Sequence, residues 1–77
     1  MPADTVTIAG HVAERGSEAE VHLRNAARAE KAAAWAYCYT PASYDRYEIA
    51  AERDIENARR APGYLGPATD TETPDAP

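Results

Sequence analysis

The chain has no phenylalanine and only one cysteine, one methionine, one tryptophan and, in Lys31, one lysine. Large aliphatic side chains are nearly as scarce. Val6, Ile8, Val12, Val21, Leu23, Ile49, Ile55 and Leu65 are all there are, about a tenth of the residues, a level at which composition alone leans toward disorder. Each shortage excludes something. A lone Cys38 cannot form an internal disulfide framework. No stretch approaches the roughly 18 apolar residues of a membrane span, and "MPADTVTIAG" lacks the basic and long apolar regions of a secretion signal, so a cytoplasmic protein with no membrane partner is expected. There is no Gly-rich phosphate loop, no H-E-x-x-H and no Ser-His-Asp arrangement. Cationic excess is missing as well. The net charge is −5 and the pI near 4.8, which argues against a bulk electrostatic footprint for nucleic acid.

What is present has to supply the core. Trp35 and the five tyrosines, Tyr37, Tyr39, Tyr44, Tyr47 and Tyr64, each offer about 150–250 Å² of buriable surface. With alanine they are the expected core material, which favours close helix contacts. In 77 residues there is room for one small domain, in which only about 60% of the unfolded chain's surface is buried.

Apolar side chains alternate along "TVTIAGHV": Val6, Ile8, Gly10 and Val12 have one parity, Thr5, Thr7, Ala9 and His11 the other. Such alternation marks a half-buried strand. It resumes with Val21, Leu23 and Asn25. A turn at Arg15-Gly16-Ser17-Glu18 would set Val12 opposite Val21, Gly10 opposite Leu23 and Ile8 opposite Asn25, and would leave His11 facing His22 on the other side. A rival reading starts a helix at Ser17, with Ser17-x-x-Glu20 as a capping box. It places Val21 and Leu23 on divergent faces. The hairpin over about residues 5–25 is the preferred expectation.

Helical spacing follows. Over about 26–39, with Asn25 as N-cap, one stripe carries Ala27, Glu30, Ala33, Ala34, Tyr37 and Cys38, and a second carries Arg28, Ala32, Trp35 and Tyr39. Thr40-Pro41 stops this helix and starts another over about 41–60, with Tyr44, Tyr47, Ala51, Ile55 and Ala58 on its inner face. Pro62 and Gly63 end it. The short connection makes the two helices antiparallel. The expected fold is therefore α+β: a two-stranded β-hairpin, then a two-helix hairpin (ββαα), in one domain over 1–65. A flexible, acidic, Pro-rich tail over 66–77 completes it. The alternative is an all-α helical hairpin with an extended N-terminal arm.

Function is less legible. Two histidines and a distant cysteine fall short of the three or four ligands a zinc ion takes, so no metal and no cofactor is expected. Cys38, on an apolar stripe, reads as a small buried hydrophobe. The carboxylates are scattered on helix faces without a desolvated pocket, so no catalytic residue is assigned and an enzyme is not expected. Arg46, Arg53 and Arg60, seven apart and flanked by Glu48, Glu52 and Glu56, read as a solvated, salt-bridged face.

A lone two-stranded ribbon has open edges and is marginal by itself. The expectation is a small accessory protein, of the kind phages and bacteria use to inhibit, assemble or decorate a larger target. It would bind a protein target or further copies of itself, as a homo-oligomer, through a strand edge and a surface made of Trp35, Tyr39 and Arg28. Tyr64 and Leu65, between Pro62 and Pro67, would form a peptide-like anchor that docks on the same chain or on that target. The alternative is a dimeric DNA-binding regulator resembling the ribbon-helix-helix type. In it Glu20 to Asn25 would be the groove-reading strand, with His22 and Arg24 as its nucleic-acid contacts.

Overall fold

A computed structural model describes residues 4–68. The elements are β1 (Thr5–Ile8), β2 (His11–Glu14), α1 (Glu18–Tyr39), a short 3₁₀ turn at Pro41–Ser43, α2 (Tyr44–Arg60) and β3 (Tyr64–Pro67). The fold is α+β, with an N-terminal β-hairpin followed by two helices packed against each other. The three strands form one antiparallel sheet in the order β1-β2-β3.

The hairpin turns earlier than its alternation suggests. Ile8 pairs with His11, so the loop is just Ala9-Gly10, and both have positive φ, 54° and 80°. That is the geometry of a type I′ turn, whose twist matches that of the strands it joins. The expected turn at Arg15–Glu18 and the expected pairing of His11 with His22 are therefore replaced: His22 lies in α1. Moving the turn also reverses the faces beyond it, because side chains alternate with a period of two. Val6 pairs with Ala13 and Ile8 with His11, while Val12 sits across from Thr7. His11 thus joins the inner face that alternation had given to Val12.

Residues 18–25 are helical, as the rival reading of Ser17 had it. The Ser17 Oγ accepts from the Glu20 N–H at 3.2 Å and donates to the Glu14 carbonyl at 2.6 Å. Glu20 reaches back to the Gly16 N–H at 2.6 Å, a capping box displaced by one residue. Three helix-start N–H groups find partners here, since Ala19 donates to the Pro62 carbonyl at 3.1 Å and Val21 to the Ser17 carbonyl at 3.4 Å. The backbone hydrogen bond from Gly16 and the Arg24 guanidinium hold the Glu20 carboxyl below its ordinary pKa.

The second helix starts at Tyr44, after the 3₁₀ turn, within a turn of the expected boundary. After it, Pro62-Gly63 sends the chain back across the start of α1, and β3 pairs with β2. This third strand has no counterpart in the sequence reading. Gly66 and Pro67, expected to begin the flexible tail, are part of it, and Ala68 donates to the Gly10 carbonyl at 2.8 Å. The remainder of the expected tail, from residue 69, lies outside the described residues. Val12 pairs with Gly66 and Ala13 with Tyr64, so Leu65 is an unpaired bulge residue.

The core is alanine with one leucine. Ala13, Ala19, Leu23 and Ala58 form a fully buried cluster where the sheet meets the start of α1 and the end of α2. Ile8, Ile55, Ala61 and Tyr64 pack around it. Ala26, Ala33 and Ala36 of α1 and Ala51 of α2 continue the buried seam away from the sheet. The expectation that Tyr and Trp share this core is corrected: Trp35, Tyr37 and Tyr39 are each more than half exposed, and Tyr44 and Tyr47 are half-buried. Methyl-sized side chains let helix axes approach closely, which leaves no room for a ring between them.

Candidate functional site

The two ends of the helical pair differ. At one end the sheet covers the start of α1 and the close of α2. At the other, roughly 30 Å along α1 at 1.5 Å per residue, Trp35, Tyr37, Tyr39 and Tyr44 gather, with no strand of the described residues over them. Trp35 is 58% exposed and Tyr39 69%. They lie one turn apart on α1, and their rings are tilted at 37° with centroids 5.1 Å apart. Arg28 is exposed on the same side two turns earlier and donates to the Asn25 side chain at 3.3 Å. Trp35, Tyr39 and Arg28 therefore do share one continuous surface.

Tyr64 and Leu65 belong to the other end. Tyr64 is half-buried, packs on the core cluster, and its hydroxyl lies 2.8 Å from His11 Nδ1. It is an anchor within the chain, whereas Leu65, on its bulge, is 52% exposed. Burial and the positive charge of Arg59 push the His11 imidazole below its ordinary pKa, and Glu30 opposes this. His22 Nε2 sits 3.6 Å from Glu18 Oε2, and Arg24 Nε donates to Glu20 Oε2 at 2.8 Å. Both residues proposed as nucleic-acid contacts are thus engaged along α1, and the strand that was to carry them to a DNA groove is helix.

Tyr37, expected in the core, stands edge-on to Tyr44 with centroids 5.4 Å apart. The Tyr44 hydroxyl donates to Glu48 Oε2 at 2.6 Å, and this bond raises the pKa of the phenol. Cys38, expected to be buried, is exposed. Among the described residues no three His, Cys, Asp or Glu side chains come together as metal ligands, and no helix is long and apolar enough to cross a membrane.

A feature the sequence reading passed over runs between the helices. One depression is lined by Ala51 and Ile55 and rimmed by Glu30, Glu48, Glu52, Glu56 and Arg59. It shares Glu30 and Glu48 with a second depression of about 620 Å³, walled by Ala33, Ala34, Tyr37, Cys38 and Tyr44. Together they make an apolar-floored groove with an acidic rim. The i, i+4, i+8 spacing of Glu48, Glu52 and Glu56 was the signal for it. What hid it was the absence of any sequence cue that Glu30, on the other helix, faces them.

No family model matches the chain, and no curated protein or solved structure shows significant similarity to it.

Proposed function

We propose that the chain is a small, non-enzymatic accessory protein that acts in the cytoplasm by docking on a protein target through the Trp35/Tyr39 end of α1. The exposure of these two rings carries this reading. In a chain so short of large apolar side chains, burying them inside would stabilise the fold, yet the buried seam is built of alanine and the rings stand in water. Tyr, Trp and Arg dominate binding hot spots, and a contiguous exposed apolar patch on a small protein marks an interaction site.

The sheet edge supports the same reading. β1 is an edge strand of Thr, Val and Ile, with no proline to interrupt pairing, and such an edge accepts an added strand. β3, the opposite edge, is blunted by its bulge and by Pro67.

The test is quantitative affinity capture with the full chain and with a Trp35→Ala/Tyr39→Ala variant, both verified as folded by circular dichroism. A target that the wild type retains and the double variant loses supports the assignment. Equal retention by both would remove the aromatic surface from the function.

A further inference from the structure

Two faces of this molecule complement each other, and they cannot meet within one copy. The outward stripe of α1 holds Val21, Arg24, Arg28, Lys31, Trp35 and Tyr39, all exposed. At 100° per residue these six fall within an arc of about 80°; no acidic residue of α1 lies inside that arc, and Glu20 at its edge pairs with Arg24. The groove between the helices has the opposite character. Its rim bears Glu30, Glu48, Glu52 and Glu56 with Arg59 as a single cation, and beyond Glu48 it widens into the larger, shallower depression beside Tyr44.

The spacings also agree. From Arg24 to Lys31 the stripe rises roughly 10 Å, and from Glu56 to Glu48 the rim falls roughly 12 Å. Laid antiparallel to α2, the stripe sets Arg24 by Glu56, Arg28 by Glu52 and Lys31 by Glu48. One further turn then brings Trp35 level with Tyr44, at the larger depression.

We propose that the groove between α1 and α2 is the docking site for the basic, Trp35-tipped outer face of α1 from a second copy of this chain. The occupant follows from charge, spacing and the position of the one tryptophan. Because the two faces differ, the contact is head-to-tail: each copy offers its α1 face to the next and receives another in its own groove, forming a ring or a filament. Individual exposed ion pairs contribute little. The three pairs fix the register, and burial of Trp35 supplies most of the affinity. This deepens the proposed function, since it names what the Trp35 surface meets when no other target is present.

The test uses the purified full chain. Molar mass by light scattering is followed over about a hundredfold range of concentration, at low and at high salt, together with the emission of Trp35, the only tryptophan. The expected result is a mass that climbs above 8.3 kDa with concentration, less so at high salt, with a blue shift of emission in step. Arg28→Glu alone and Glu52→Arg alone place like charges opposite each other and raise the dissociation constant at least about tenfold. An equimolar mixture of the two restores both mass and blue shift, because the carboxylate introduced at position 28 of one variant then meets the guanidinium introduced at position 52 of the other. A wild type that remains at 8.3 kDa throughout overturns the proposal. So does a mixture of the two folded variants that fails to recover. Capture of a separate target through Trp35 and Tyr39 would survive either outcome, so the two readings fail independently.

Discussion

Among the glycines, Gly63 is the one where an added methyl group should do most damage. Its φ is +94°, and a Cβ built on it would overlap the Ser17 Cβ and Oγ. Three effects combine on substitution by alanine. Holding an L-residue at positive φ costs about 1–2 kcal/mol. Forcing the overlap costs about 1–3 kcal/mol in displaced atoms. Any shift of Ser17 also loosens its hydrogen bond to the Glu20 N–H, a helix cap worth about 1 kcal/mol. The expected loss is about 3–6 kcal/mol, against a total stability of about 3–10 kcal/mol for a domain of this size. Gly16→Ala is the control, because Gly16 has a similar φ of +82° with no atom within 4 Å of its added Cβ, so it loses only the backbone share. Urea unfolding followed by far-ultraviolet circular dichroism measures the difference. With a slope of about 1 kcal/mol/M, the midpoint of Gly63→Ala should fall about 2–4 M below that of Gly16→Ala. Coincident midpoints would refute the claim that the Pro62-Gly63 turn is seated on the N-terminus of α1.

At the hairpin, Ala9 occupies the first position of a type I′ turn with φ 54°, where asparagine is preferred. Ala9→Asn should raise the unfolding free energy by about 1 kcal/mol, and an unchanged or lower urea midpoint would contradict the turn assignment. His11 gives a pH dependence. Its folded pKa lies below the ordinary imidazole value, so the fold favours the neutral ring. That contribution is whole above the unfolded pKa of about 6.5 and is lost as pH falls through the folded value. Stability measured from about pH 7.5 down to about pH 5 should decline in the wild type and stay nearly level in His11→Gln; parallel declines would assign the effect to other groups.

The helices were the legible part of the chain. Ala51, Ile55 and Ala58 recur at helical spacing, and the stops at Thr40-Pro41 and Pro62-Gly63 need no tertiary information, so the end of α1 and the span of α2 come from local chemistry. The strands were harder for definite reasons. Alternation from Val6 to Val12 is blind to a two-residue turn at Ala9-Gly10, because the parity of the letters runs on while the chain reverses. The Ser17–Glu20 box was visible, but Val21 and Leu23 argued against it on the assumption that both must be buried. In the structure Leu23 is fully buried and Val21 is 57% exposed. β3 is only four residues long, with a bulge and a proline. It becomes a strand through its partner and not through its own sequence.

The aromatic residues show why composition misled about the core. With no phenylalanine and few aliphatics, the rings looked like the only material able to fill an interior. That holds only if an interior must be thick. Ala26, Ala33, Ala36, Ala51 and Ala58 build a thin one, in which close-packed backbones replace large side chains. A helix pair joined this way has a buried seam too narrow for a ring, so Trp35, Tyr37 and Tyr39 are driven outward by the same alanines that stabilise the pair. Small residues at a seam and large ones outside are two halves of one arrangement. The seam holds the fold together with little apolar area and leaves Trp35, Tyr37 and Tyr39 exposed, where the proposed contacts would use them. Replacing a seam alanine such as Ala33 or Ala51 by a larger residue would then spread the helices and disturb both the fold and the groove, whereas trimming Trp35 would spare the fold and remove only the proposed contact.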